Sequence, residues 1–405
     1  MSELVLRGHH NDHLVMTELL DPASLPIRSA QRIRRVVVDA TAAASTGQFS
    51  RAALDSGTQY LIDPLTPLLL DRQDPRDRWA RLSFATPGPV PLSELFDARW
   101  RRRKVAEVIQ FQLEHGASAI IPPYLHIDRA DGPLAEAQLE LWNASTSYLR
   151  DEGLGYAMVP VLSIDRNPVA LEMNAWELGL GRLLRAGAGL TDEPVALALS
   201  GSSAVTAHSL HKMSQIWRRA ASITDFIAWH AGDVGPIAVA LGAAGYEVGM
   251  CSTERCDVNG EMRNRRPSNN VAGPRWTGVY IDALGRSLGK REVAIMSQVR
   301  SLQGDLACFD STCCPRGFDS LLGATRRQHA ARCRLRDLAD LDAITARAWR
   351  LHRLERTATE GLGTARRLRH YADVHGLRVG AYPAEFDARQ KVLQGLRATA
   401  RVAVA

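Results

Sequence analysis

The chain has 405 residues, 45 % of them hydrophobic and 23 % charged, with a formal net charge of +6; this is the composition of a globular protein with room for one large domain or two ordinary ones. No apolar run approaches the roughly 18 residues of a membrane span, and the start, MSELVLRGHHNDH, lacks a basic stretch followed by an apolar one, so neither a span nor a secretory signal is expected. A cytoplasmic location is the expectation, and in a reducing compartment the six cysteines read as metal ligands, reactive thiols or core residues rather than disulfides.

Residues 1–30 read as an N-terminal arm, with a histidine cluster at His9, His10 and His13 close to the terminus. From Arg35 onward a unit recurs: a short apolar run ending in a polar residue, followed by a helix-compatible stretch. The runs are Val36–Asp39, Tyr60–Asp63, Ala119–Tyr124, Tyr156–Asp165, Val195–Gly201, Asp225–His230, Tyr246–Cys251 and Gly278–Asp282. Near-continuous apolar runs mark strands buried on both faces, as parallel strands are. The stretch 97–115 between two of them has helical periodicity. Eight such units predict an α/β fold of the (β/α)8 TIM-like barrel class over 31–302, with an open doubly wound sheet as the alternative. The first strand–helix turn carries no GxGxxG, which disfavours a dinucleotide-binding unit.

Chemistry in a barrel sits at the C-terminal ends of the strands. Asp39, Asp63, Asp165, His230, Glu254 and Asp282 fall at or just beyond such ends and are the candidate catalytic residues. Together they would line one pocket with carboxylates and an imidazole, suited to general acid–base chemistry on a nitrogen-rich ring. Each alone also fits a helix cap. Ser200 and Gly201, in a glycine- and serine-rich turn, could present N–H groups to an anion or a ring carbonyl. Arg263, Arg265 and Arg266 lie in a long polar loop at 252–276 that reads as a lid or a phosphate-contacting segment.

Lys290–Leu302 reads as a helix leading into the segment 303–335, which holds Cys308-x4-Cys313-Cys314-x14-His329-x3-Cys333. Thiolates and an imidazole this close together suit a tetrahedral zinc ion of structural type. Adjacent Cys313 and Cys314 would strain to ligate together, so one of them joins Cys308, His329 and Cys333. A buried cysteine-rich turn is the alternative. The region 336–405 reads as basic and helical; ten arginines fall within 331–375, on two helices expected to break at Glu360–Gly363. That density points to nucleic acid as a partner.

This order of parts resembles the tRNA-guanine transglycosylase family and its DNA-modifying relatives. Cys308, Cys313 or Cys314 and His329 stand where that family has its zinc ligands, with different spacing, and the loop with Arg255 and Arg263 to Arg266 stands where it has an arginine-bearing segment. Gln48 and Phe49 resemble its segment before the first catalytic aspartate. The resemblance implies a barrel with a late zinc insertion and a basic helical region, acting on or binding a base in tRNA or DNA by exchange at the glycosidic bond. The two working aspartates are not matched: Ala44 or Ser45 stands at the first position and Met250 near the second. Two alternatives therefore stand beside the enzyme. One is a non-catalytic subunit of the same fold, binding nucleic acid or pairing with a related barrel as a homo- or hetero-oligomer. The other is a zinc-dependent methyl- or thiol-transfer barrel using Cys251, Cys313 and Cys314.

Overall fold

The computed structural model describes residues 1–21, 32–165, 173–200, 206–250, 256–266, 278–377 and 383–402. Eight parallel strands form one curled sheet: β1 (Glu3–Gly8), β2 (Arg35–Asp39), β3 (Gln59–Asp63), β4 (His126–Ile127), β5 (Val161–Asp165), β6 (Val195–Ser200), β7 (Phe226–Trp229) and β8 (Gly245–Gly249). Their order in the sheet is β3-β2-β1-β8-β7-β6-β5-β4. The two ends of that order are drawn together by the Ser118 N–H, which donates to Tyr60 O at 2.9 Å, and by the Tyr60 N–H, which donates to Ser118 Oγ at 2.7 Å. The fold is a (β/α)8 TIM-like barrel.

The segment expected to be an arm contains β1, the strand that pairs with both β2 and β8. The sequence ELVLRG is short, but every residue of it is buried, and its place between two neighbours makes it a true central strand. Conversely Gly278–Asp282 is not a barrel strand. Its first four residues form β9 (Gly278–Ile281), paired antiparallel with β10 (Arg286–Gly289) in a separate hairpin. The eight barrel strands therefore span 3–249, one unit earlier than the strands expected within 31–302.

The stretch Ala119–Tyr124 makes only an isolated bridge, Ile120 to Met158. Pro122 and Pro123 have no N–H to give a ladder. Buried side chains replace it: Gln112 accepts from the Ile121 N–H at 2.9 Å and donates to Ile121 O at 2.8 Å, while Thr66 Oγ1 accepts from the Tyr124 N–H at 2.8 Å.

Helices alternate with the strands: α1 (His13–Leu20), α2 (Gln48–Ser56), α3 (Ala98–Glu114), α4 (Pro133–Asp151), α5 (Met173–Ala188), α6 (Ala207–Ala221) and α7 (Gly235–Ala240). Asp97 caps α3 by accepting from the Trp100 N–H at 2.7 Å, and Thr206 and Ser209 form a capping box on α6. A short helix, α8 (Val258–Asn264), follows β8, then come the hairpin and three short helices, α9 (Lys290–Met296), α10 (Arg300–Leu306) and α11 (Phe318–Leu322). The helix expected over Lys290–Leu302 is thus two helices.

The eighth helix of the barrel is α12 (Arg326–Asp342), which packs on β1 and α1. At its C-terminal end Asp342 accepts from the Ser2 N–H at 2.7 Å and pairs with Arg32. The hairpin and cysteine segment are therefore an insertion between β8 and its closing helix, and no boundary falls at 335. Two long helices, α13 (Arg347–Val374) and α14 (Pro383–Val402), pack on each other and on the flank of the barrel.

The barrel interior is layered. Val5, Val37, Leu61, Ala119, Val161, Ala196 and Ile227 make an apolar layer. One step further toward the C-terminal ends, alternation brings Arg7, Asp39, Asp63, Ser163 and Glu247 inward. Among the described residues no helix is long and apolar enough to cross a membrane.

Candidate active site and metal centre

Arg7 is the hub of the barrel mouth. Its Nε donates to Glu247 Oε1 at 2.6 Å, its Nη1 to Asp39 Oδ1 at 2.5 Å and its Nη2 to Asp63 Oδ2 at 2.7 Å. Its guanidinium also lies 5.6 Å from the centroid of the Trp229 ring. The side chains of Arg7, Asp63 and Glu247 are 0 % exposed, and that of Asp39 is 19 %. Removing a guanidinium from water is costly unless its hydrogen bonds are replaced. Here burial acts to lower the Arg7 pKa and the three carboxylates outweigh it, holding it well above its ordinary value. Burial likewise acts to raise Asp63, but Arg7 and His230 prevail and keep its carboxyl well below the usual range. The other oxygen of Asp63 accepts from Tyr124 OH at 2.8 Å and from the Leu65 N–H at 3.0 Å.

His230 joins this set directly after β7. Its backbone N–H donates to Glu247 Oε2 at 3.2 Å, and its Nε2 is 3.8 Å from Asp63 Oδ2. Burial and Arg7 act to discharge the imidazole; Glu247 and Asp63 outweigh them, and its pKa lies above the ordinary value. Its φ is 52°, and Leu65 has φ 50°. These are the two non-glycine residues with positive φ among those described, and both line one small cavity of about 20 Å³ with Tyr124, Ser163 and Cys256. Backbone held in this region is a stored cost that concentrates at functional sites.

Across the mouth, His126 Nδ1 is 3.0 Å from Ser163 Oγ. The His126 Nε2 is buried without a partner, and burial keeps this imidazole below its ordinary pKa, against the pull of Asp165. Asp165 Oδ2 lies 3.5 Å from Asn259 Nδ2 of α8.

The helix α8 caps the mouth, and its attachments reassign several candidates. Ser200 Oγ accepts from the Val258 N–H at 2.9 Å, so it anchors the cap. Arg265 pairs with Asp77 at 2.9 Å and Arg266 with Asp71 at 2.9 Å; both tie the cap to the segment after β3, while Arg263 is exposed. Glu261 faces inward from the cap, and burial raises its pKa. Asp282 is not at the mouth. It sits in the turn of the β9–β10 hairpin and accepts from Arg336 Nη2 at 2.6 Å. Gly201, Cys251, Glu254 and Arg255 lie outside the described residues.

Of the candidate catalytic residues, then, Asp39, Asp63 and His230 come together, with Asp165 across the mouth. Arg7 and Glu247 were missed. The available signal was a charge at an inward position within an apolar run, Arg7 after LVL in ELVLRG and Glu247 in GYEVG.

On the outer flank, one donor atom from each of Cys308, Cys313, His329 and Cys333 lies within 4.8 Å of the others, and all four residues are buried. His329 Nε2 is 3.0 Å from Tyr280 O; donating there leaves the Nδ1 lone pair facing the sulfurs. That Nδ1 is 3.2 Å from Cys313 Sγ and 3.5 Å from Cys333 Sγ. Cys314 Sγ is 3.4 Å from the same nitrogen but falls outside the four-donor set. Hydrogen bonds among the thiols, first from Cys333, push Cys308 down to about 6. This buried Cys3His cluster can hold a metal.

The arginines of the tail are largely used internally. Of the ten within 331–375, Arg336, Arg353, Arg356, Arg367 and Arg369 pair with carboxylates. Arg332, Arg334, Arg347 and Arg350 donate to backbone carbonyls.

Comparison with models of known protein families gives no match, and comparison with curated proteins gives none. Among solved structures the chain is similar to the 3-dehydroquinate dehydratase from Aquifex aeolicus VF5, at 9 % identity and a TM-score of 0.32, over 65 % of this chain and 97 % of that one. It is similar to the carboxyl transferase domain of Rhizobium etli pyruvate carboxylase at 10 % identity and a TM-score of 0.32, over 65 % of this chain and 43 % of that one. For dihydrodipicolinate synthase from Oceanobacillus iheyensis the figures are 9 % and 0.22, over 76 % and 80 %. At these scores the likenesses carry no argument about what the chain does.

Proposed function

We propose that the barrel mouth is the reaction centre of a transglycosylase-like protein, acting on a nucleobase of tRNA or DNA at the glycosidic bond. The observation that carries this reading is the state of Asp39. A carboxylate that attacks carbon must be ionised, fixed and reachable. Among the three carboxylates on Arg7, Asp39 alone has solvent access, at 19 % against 0 % for Asp63 and Glu247. Asp39 is the attacking group; Arg7, Asp63 and Glu247 hold it in place, and His230 and His126 are the candidates for moving a proton at the departing base. The two strained backbone positions at this cavity support a site built for more than packing.

The Cys3His cluster fits zinc: three thiolates and one imidazole make a complete tetrahedral set, as structural sites have. It would fasten the insertion to α12 and supply no chemistry. The same completeness weakens the methyl-transfer alternative, which needs an open coordination position and Cys251. Nucleic acid remains the proposed partner although most tail arginines are paired, because exposed pairs are worth only about 0–1 kcal/mol and phosphates can compete for them.

The test is incorporation of labelled guanine into tRNA and into duplex DNA by the metal-loaded protein. Asp39→Asn should abolish it with the fold intact. No incorporation into either polymer, or undiminished incorporation by the variant, would sink the enzymatic reading. One observation favours a non-catalytic subunit: the mouth cavity of about 20 Å³ has room for about one water. That reading predicts salt-dependent association with nucleic acid and no incorporation.

A further inference from the structure

A space for a small molecule near buried charge also lies outside the barrel. Between its flank and the C-terminal helices lies a crevice of about 320 Å³, the size of a small-molecule site. Its walls come from α7, β8, the hairpin turn, α12, α13 and α14, and Ile237, Leu354, Phe386 and Leu393 give it an apolar side.

Its polar side is what remains after the protein has made its own pairs. Arg389 holds Asp233, Arg336 holds Asp282 and Arg353 holds Asp340. Glu360 pairs with Arg356 outside the lining, and of the five carboxylates in the lining Asp337 is the one with no ion pair or hydrogen bond among the described residues. Burial, then the neighbouring Asp282, pushes its carboxyl up to about 7 against the pull of Arg336 and Arg353. On the facing helix, Arg389 is 7 % exposed, yet its Nε has no partner. Buried donors are seldom left unmet in proteins. Arg389 and Asp337 thus line the same space from two helices.

We propose that this crevice binds a small organic cation: a protonated amine set against Asp337 and an apolar body against Phe386 and Leu393. A divalent metal is a poorer fit, because it wants several oxygen ligands and the other carboxylates are committed to arginines. An anion would meet the uncompensated acid. This inference does not depend on the chemistry assigned to the barrel mouth.

The experiment is calorimetric titration of the full-length, metal-loaded protein at pH 8.5, where Asp337 is ionised. The probes are 2-phenylethylamine, a cation at this pH, its neutral N-acetyl derivative and the anion phenylacetate. Saturable binding of phenylethylamine with a Kd below about 1 mM, weakened at least about tenfold in Asp337→Asn and absent for both other probes, is the expected result. Leu354→Trp, which fills the crevice from a partly exposed helix position, should also abolish binding and serves if the first variant fails to fold. Failure of phenylethylamine to bind, equal binding by phenylacetate, or binding untouched by either variant would overturn the proposal.

Discussion

Arg7 decides the character of the barrel mouth. One guanidinium is sealed from solvent with two fully buried carboxylates and one partly open one, and its forked donors reach three different strands. Lysine has the charge but not the fork, so it cannot replace these contacts. Arg7→Met leaves Asp63 and Glu247 buried without a counter-charge, and a cost of about 3–5 kcal/mol is expected. The sign of its pH dependence follows from Asp63. That carboxyl is held low in the folded protein, so its pairing contributes stability above the unfolded pKa of about 3.9 and loses it as pH falls through the folded value. The penalty of the variant should therefore be full from about pH 5 to pH 7 and shrink as pH falls below about 4 in urea unfolding. A penalty that stays unchanged below about pH 4 would show that Arg7 acts by packing alone.

Among the elements, the strands were legible where they are continuous apolar runs, because burial on both faces leaves a plain mark on composition. VVVD, YLID and VALALS all became strands close to their expected bounds. What failed was the count. A six-residue strand near the terminus was taken for an arm, and a hairpin strand with the same apolar character was taken for the eighth barrel strand. Composition records burial but not partners, and only pairing separates β1 from β9. The Cys3His cluster was legible because its four residues fall within 26 positions; the mouth was not, because Arg7 and Glu247 are separated by 240 positions.

Glycine misled in the same way. Gly361 and Gly363 were expected to break a helix, but α13 runs through them as 28 continuous residues. A Cβ on Gly361 would lie 2.9 Å from the Phe386 ring, so this glycine lets α14 approach. Gly361→Ala should cost about 1–3 kcal/mol by overpacking, despite the better helix propensity of alanine. A chevron or urea midpoint that moves the other way would mean the ring yields freely.

For the whole molecule, α12 joins two tasks. Its N-terminal half carries His329 and Cys333, and its C-terminal end reaches Ser2 and Arg32 at the opposite end of the barrel. Metal loss should therefore be felt in the barrel and not only in the insertion. A strong chelator is expected to remove about one zinc per chain and to lower the melting temperature of the whole unit, and His329→Ala should do the same. Cys314→Ser should retain the metal, since the other four donors close the site. Elemental analysis with calorimetry checks this; a chain free of metal with an unchanged melting temperature would refute it.

The placement of β1 has a consequence for how the chain reaches this state. The strand is made before the rest of the barrel, yet its neighbour β8 and the helix α12 that covers it come some 240 and 320 residues later. Until they emerge, Arg7 has Asp39 and Asp63 but not Glu247, and one edge of β1 has no strand to pair with. At roughly 5–20 residues per second that interval lasts tens of seconds, a long time for an apolar strand edge to go unpaired in a crowded solution. Through that interval a nascent chain of this design holds an open sheet, closed only when β8 and α12 arrive.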